Sequence, residues 1–169
     1  MRDAGIELDV VEDADSFIGN ARKKALETAA LLPGDAVLAD DSGLCVDALG
    51  GAPGVYSARY ATDGHDDAAN RKKLVKALEG LPYEERGAHF ACAMVLVSDG
   101  KVLAEAIGRA EGRIIDEERG SNGFGYDPLF FYEPFGKTFA ELDPDTKNSV
   151  SHRHNALMLI LAALDGENA

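Results

Sequence analysis

Residues 36–43, Ala36-Val37-Leu38-Ala39-Asp40-Asp41-Ser42-Gly43, decide how this chain is read. The apolar run 36–39 follows Pro33-Gly34-Asp35 and predicts a buried strand. Two carboxylates stand where that strand should end. The hydroxyl and glycine after them predict a turn. In α/β proteins ligands gather at strand C-termini. Adjacent carboxylates at such a place are unfavourable unless a cation holds them. The competing reading is an ordinary solvated Asp-Ser-Gly turn, and these residues alone leave both open.

Upstream, Ser16 predicts a helix N-cap and residues 17–32 a helix. At about 100° per residue, Phe17, Ala21, Ala25, Thr28 and Leu32 share one face. Lys24 falls in the middle of that face. A lysine there either snorkels its ammonium to water or meets an anion. Residues 6–11 alternate weakly, as an edge strand would.

Downstream, Leu44-Cys45-Val46 and residues 55–60 read as further strand-like runs. Between them, Gly50-Gly51-Ala52-Pro53-Gly54 is a turn signal and lacks the Gly-Lys-Ser/Thr ending of a phosphate loop. Asp66 and Asp67 are placed to cap a helix running to about Leu78. Residues 88–97 predict a strand, Ser98-Asp99-Gly100 a tight turn, and 101–110 the returning arm of a hairpin. Antiparallel strands are therefore mixed into an α/β chain, which disfavours a purely doubly wound sheet. In the loop 120–128, glycines surround Phe124 and Tyr126. Such a loop either lets a flat ring approach its backbone or anchors two aromatics in the core. A short strand 129–131 follows. Asp143-Pro144 predicts an N-cap and first turn for a short helix carrying Lys147. Ser151 predicts the cap of a last helix with Leu157, Ile160, Leu161 and Leu164 on its apolar face. His152 and Arg153 occupy its first turn, where the helix dipole favours an anion.

The 169 residues suit one domain with a real core. With 30 acidic and 17 basic residues the formal charge is −13. That argues against polymeric nucleic acid and anionic membranes as partners, yet admits a small anionic substrate met by local positive charge or a metal. Cys45 and Cys92 lie in apolar runs and read as free thiols in a reducing cytoplasm. The first residues do not read as a signal peptide and no apolar run reaches membrane-spanning length.

Several of these segments occur together in one family. They are Phe17-Ile18-Gly19-Asn20-Ala21 with Lys24, Ala39-Asp40-Asp41-Ser42-Gly43-Leu44, and Gly50-Gly51-Ala52-Pro53-Gly54-Val55-Tyr56-Ser57-Ala58-Arg59. Gly123-Phe124-Gly125-Tyr126-Asp127-Pro128, Lys147 and Ser151-His152-Arg153 complete the set, in the family's order across nearly the whole chain. The sequence resembles the inosine triphosphate pyrophosphatases, which act on noncanonical purine nucleoside triphosphates. The resemblance implies an α/β fold with a long mixed β-sheet flanked by helices, forming two lobes with a central cleft. It implies Mg²⁺-dependent cleavage of ITP, dITP and XTP between the α- and β-phosphates, in a cytoplasmic homodimer that sanitises the nucleotide pool.

Carried onto this chain, the resemblance makes Asp41 the general base and Lys24 its catalytic companion on the phosphates. Asp41, Glu12 and Asp40 would be the metal carboxylates. Ser42, Phe124, Gly125, Tyr126, Asp127, Lys147, His152 and Arg153 would line the substrate site. An aromatic ring would stack on the purine, and His152 and Arg153 would select a 6-oxo purine.

Two departures stand out. The family normally begins with a strand and a Thr/Ser-Gly-Asn-x-x-Lys loop that binds the triphosphate, and nothing before Glu12 matches it. Residues 1–169 are thus expected to form a single nucleotide pyrophosphatase domain, N-terminally truncated relative to the family. Gly19 stands where the family usually has Glu, which would complete a capping box with Ser16. The alternatives are a weak or inactive nucleotide-binding remnant, or an interaction module that pairs through an exposed sheet edge.

Overall fold

The computed structural model describes residues 10–166. Ser16 caps the first helix, α1 (Phe17–Ala29), accepting the Gly19 N–H at 3.3 Å. Gly19 brings no side chain to reciprocate, so the capping box is half made. A β-carbon there would stand 2.8 Å from that of Ala14. Asn20, Ala21, Ala25, Thr28 and Ala29 form the buried face. The helix ends at Ala29, three residues short of the expected Leu32, because the residue before Pro33 avoids helical geometry. Of the strand expected over 6–11, residues 6–9 lie outside the described residues, and Val10 and Val11 carry no regular structure.

The largest correction falls on residues 36–46. The chain does not turn at Ser42-Gly43. It runs as one strand, β1 (Ala36–Val46), straight through the Asp-Asp-Ser-Gly stretch and the separate run 44–46. Asp, Ser and Gly are poor strand formers, but strand propensity yields to pairing and burial. Here β2 (Gly87–Ser98), rich in Ala and Val, supplies an antiparallel partner for every β1 residue, with Asp40 opposite Met94 and Asp41 opposite Ala93. Because side chains alternate along a strand, Asp40 and Ser42 project from one face and Asp41 from the other.

A two-residue turn, Asp99-Gly100, leads from β2 into β3 (Lys101–Ile114), as expected. The helix α2 (Asp67–Ala77) lies between β1 and β2 in sequence, its cap Asp66 accepting the Ala69 N–H at 2.9 Å. After β3 come β4 (Phe130–Tyr132), β5 (Lys137–Thr138), α3 (Pro144–Val150) and α4 (His152–Gly166). The sheet order is β1-β2-β3-β4-β5, and every strand pairing among the described residues is antiparallel. The long sheet flanked by helices is as expected; the parallel pairs that a mixed sheet implies are not among these pairings.

Each face of the sheet has its own helix. On one, Ala21, Ala25 and Ala29 of α1 bury Val37, Ala93, Val95 and Val97. On the other, Ala156 and Ile160 of α4 bury Cys92, Met94 and Ala104. The apolar face expected for α4 is therefore rotated. Ala156 is fully buried, whereas Leu157 is 37% and Leu161 45% exposed. The cause lies in β3: at Gly108 a β-carbon would collide with the backbone of Ala156 and His152. The helix backbone lies directly on that glycine, and only a small residue fits the contact. A third core gathers Leu44, Val46, Phe90, Leu74, Leu78, Phe130 and Phe139 at the far end of β1 and β2.

Residues 55–60 are also not a strand. Gly54–Arg59 is a 3-10 helix beside β1. Its Ser57 Oγ accepts the Leu44 N–H at 2.9 Å and donates to the Gly54 carbonyl at 2.6 Å. The side chain thus satisfies a β1 amide that no neighbouring strand takes up.

Candidate functional site

On the α1 face, helix and strand periodicities converge on a charged group. Lys24, one turn after Asn20, faces β1. Its Nζ donates to Asp41 Oδ1 at 2.9 Å and to the Asp40 carbonyl at 3.1 Å, and pairs with Glu12 Oε1 at 3.1 Å. Lys24 therefore meets anions, and the snorkelling alternative falls. Asn20, 1% exposed, donates from Nδ2 to Asp41 Oδ2 at 3.2 Å and accepts the Ala14 N–H at 2.9 Å.

The charges do not balance: two carboxylates share one ammonium. Burial raises the Asp41 pKa, Lys24 and Asn20 pull it down, and Glu12 pushes it up again; it ends above the ordinary carboxylate value. Burial pulls Lys24 down, but Asp41 and Glu12 more than reverse that, and its pKa rises. The result is a firmly charged lysine beside a carboxylate more basic than usual.

Asp40 is elsewhere. Its Oδ2 accepts from Ser42 Oγ at 3.1 Å and from Arg153 Nε at 3.2 Å, with Cys92 Sγ at 3.7 Å. The three expected metal carboxylates thus divide: Glu12 and Asp41 come together, and Asp40 points from the opposite face. Among the described residues no group of three or more His, Cys, Asp or Glu side chains is disposed to hold a metal ion. Two carboxylates nonetheless suit a Mg²⁺ ion that keeps waters or phosphate oxygens as its other ligands. Glu12 and Asp41 fit that requirement.

Beyond the acidic pair, Ser42, Gly43 and Leu44 border a cavity of about 260 Å³ between β1, α4 and the loop that joins β3 to β4. The expected substrate residues gather around it, in different states. Phe124 presents its ring, 62% exposed, with Lys147 Nζ 4.8 Å and the Arg153 guanidinium 5.7 Å from the ring centre. Tyr126 is buried and its hydroxyl donates to the Ser57 carbonyl at 2.8 Å, so Phe124 is the ring free to stack. Asp127 is also buried. Its Oδ2 accepts from Lys147 Nζ at 2.5 Å and from the Phe124 N–H at 2.8 Å. Burial raises its pKa against the pull of Lys147.

Ser151 accepts the His154 N–H at 3.1 Å and so caps α4 as expected. This places His152 on Phe90, ring centres 4.9 Å apart and 16° from parallel. Arg153 Nη1 lies 3.4 Å from His152 Nε2. Arginine only donates, so Nε2 accepts and the ring proton belongs on Nδ1, which has no partner of its own. Burial, with Arg153 and Lys147 adding to it, lowers the His152 pKa to about 3. The ring is neutral at physiological pH. On the same side, burial raises the Cys92 thiol to about 11, which leaves it a protonated, inert packing group.

Sequence reasoning missed Asn20, Ser57, Asp67 and Arg71. Asn20 carried a signal, a polar side chain on an apolar helix face one turn before Lys24. Ser57 stood inside the Gly50–Arg59 segment and Asp67 beside the expected cap, but their partners across the loop were not legible, and nothing marked Arg71.

The Ham1 family matches residues 1–163 of the chain. A dITP/XTP pyrophosphatase of Shouchella clausii is 49% identical over 158 residues, 94% of this chain and 79% of its own length. One of Clostridium tetani is 50% identical over 159 residues, 93% and 78% of the two lengths. Among solved structures, the Ham1 protein of Staphylococcus aureus superimposes with a TM-score of 0.87 at 41% identity, covering 95% of this chain and 82% of that one.

Proposed function

The chain belongs to the Ham1 family, and from that premise we propose that it hydrolyses the noncanonical purine nucleoside triphosphates ITP, dITP and XTP to the monophosphate and pyrophosphate. The dITP/XTP pyrophosphatases at about half identity support this reading. The observation that carries it is the adjacency along β1 of two unlike neighbourhoods. A carboxylate pair bridged by Lys24 lies on one side of residues 40–42, and an aromatic cavity with cationic donors on the other. A nucleotide has the same two ends.

In this reading Asp41 takes the proton from a water that attacks the α-phosphorus. The bond from that phosphorus to the oxygen bridging to the β-phosphate breaks, and pyrophosphate leaves with the electron pair. Asn20 and Lys24 hold the Asp41 carboxylate in place for that proton. Lys24 neutralises phosphate charge. Glu12 and Asp41 would hold Mg²⁺, which when bound supplies further neutralisation of the phosphate oxygens. Asp40 serves Arg153 instead, holding its guanidinium at the cavity.

Phe124 stacks on the purine and Gly125 meets it with backbone. Tyr126, Asp127 and Lys147 hold the loop that carries them, and Ser42 lines the floor. Arg153 offers donors to a 6-oxo group, and neutral His152, whose Nε2 accepts from Arg153, helps to orient them. Adenine presents an amino group at that position and would leave these donors unpaired, which is the strongest form of rejection available to a binding site. We read residues 1–169 as one domain, acting as a homodimer on the free nucleotides of the cytoplasm.

The test is pyrophosphate release from ITP, dITP, XTP and ATP, with Mg²⁺ and with the metal chelated. Turnover should require the metal and favour the 6-oxo purines over ATP by about 100-fold or more. Binding of ITP without cleavage would favour the remnant reading. Equal rates on ATP and ITP would remove the assignment of His152 and Arg153.

A further inference from the structure

Asp67 and Arg71 stand one turn apart on α2, so their side chains leave the same face. Both reach the same residue of the loop opposite. The Gly125 N–H donates to Asp67 Oδ2 at 2.8 Å, and Arg71 Nη1 donates to the Gly125 carbonyl at 2.9 Å. Gly125 is therefore held at both of its polar groups. Arg71 also donates through Nε to Glu118 Oε1 at 2.8 Å, which ties the segment between β3 and β4 at a second point. The Arg71 side chain is only 17% exposed, so water competes less for its bond to the Gly125 carbonyl than for the exposed bonds to Asp67 and Glu118.

The clamp is mounted on a rigid element. Asn70, buried between its two members in sequence, accepts the Ala61 N–H at 2.7 Å and donates to the Ala58 carbonyl at 3.0 Å. Leu74 and Leu78 anchor the following turn in the third core. The held residue is not fixed by crowding. Gly125 has φ +59°, and a β-carbon there would meet open space. The neighbouring ring is not fixed by packing either, since Phe124 belongs to none of the three core clusters. Two cations, Lys147 and Arg153, face that ring, and its backbone is held by the clamp together with Asp127.

We infer that Asp67 and Arg71 are positioning residues for purine recognition: by gripping Gly125 they fix the plane in which Phe124 meets the base. The inference rests on the reading of the cavity as a purine nucleotide site. Asp67 also borders the cavity, whereas Arg71 does not, so Arg71 isolates the effect that needs no contact with the nucleotide. Their effect passes through the Phe124–Gly125 peptide, so it should vanish when the ring is absent.

The experiment uses inosine monophosphate as the probe, with affinity measured by calorimetry and Gly125 amide exchange by NMR. Arg71→Met and Asp67→Ala should each accelerate exchange at Gly125 and weaken the nucleotide about five- to tenfold, within the range of coupled neighbours. Asp67→Asn keeps an acceptor for the Gly125 N–H and should recover most of that loss. In a Phe124→Ala background the same changes should alter affinity by less than about twofold. Equal losses with and without the ring would mean a merely structural role and overturn the inference, as would unchanged exchange at Gly125. If the unsubstituted chain binds no purine nucleotide, the cavity reading fails and the positioning role falls with it. The exchange measurement would still report separately whether the clamp forms.

Discussion

Asp40 and Asp41 are neighbours in sequence and belong to different parts of the molecule. Asp41 faces α1, where it is 8% exposed and shares Lys24 with Glu12. Asp40 faces α4, where its side chain is 40% exposed and accepts from Ser42 and Arg153. One peptide step along an unbroken strand separates a buried carboxylate from a half-exposed anchor for a guanidinium. The difference teaches that a strand can run two kinds of chemistry side by side. Its pleat sorts the residues, and each face supplies its own environment.

The sharpest way to break this comparison is to neutralise Asp41. Asp41→Asn should lower turnover on ITP by about 10²- to 10⁴-fold, the usual contribution of a general base, while circular dichroism stays unchanged. Without a divalent ion the Asp41 carboxyl should titrate above the ordinary carboxylate range, as followed by NMR. Added Mg²⁺ should pull that titration down, because a bound cation favours the charged form. A metal-free titration at the ordinary value would contradict the buried environment described for Asp41.

The α4 face can be perturbed alone through Gly108. Gly108→Ala forces a β-carbon into the backbone of His152 and Ala156, and overpacking of this kind costs about 1–3 kcal/mol. Urea denaturation should show that loss. Nucleotide affinity should fall too, because the displaced turn carries His152 and Arg153. Unchanged stability would show that α4 does not rest on β3 there.

His152 gives the same face a pH signature. Its folded pKa of about 3 lies below the ordinary histidine value, so the unfolded chain binds more protons between the two. Stability from this group is present above the unfolded pKa and is lost as pH falls toward the folded one. Between pH 6.5 and 5 the loss should be about 1.5 kcal/mol, measured by urea unfolding, and His152→Gln should remove it. An equal slope in the variant would assign the effect to other groups.

Phe124→Ala should be milder, raising the KM for ITP about three- to tenfold with kcat little changed, since it removes stacking and leaves the chemistry intact. A fall in kcat instead would mean that the ring also positions the phosphates.

The parts of this arrangement that are local in sequence were legible there. Ser16, Asp66 and Asp143 each cap the helix expected of them. The hairpin at Asp99-Gly100 follows from its turn residues. Lys24 announced itself as a charge on an apolar helix face, and its anions were found. Where reading failed, a nonlocal contact had overruled a local preference. The strand end expected at Asp40 dissolved because β2 pairs every residue through Gly43 and beyond. Of the apolar face expected of α4, Ile160 and Leu164 pack on the sheet, while Leu157 and Leu161 give way to Ala156 because Gly108 lets the helix backbone come close. The grip of α2 on Gly125 joins residues 58 positions apart, and no spacing rule predicts it. Asp40 and Asp41 point apart for a simpler reason. Adjacency favours shared ligation only if the chain turns, and here it stays extended.

The most direct test compares the ITP-to-ATP ratio of kcat/KM for pyrophosphate release in the unsubstituted enzyme, Asp41→Asn and Asp40→Asn. If the faces divide the work as described, Asp41→Asn lowers both rates by the same large factor and leaves the ratio unchanged. Asp40→Asn keeps most of the turnover on ITP and lowers the ratio about fivefold, as Arg153 loses its anchor. A ratio that moves with Asp41, or turnover lost equally in both variants, would contradict the division.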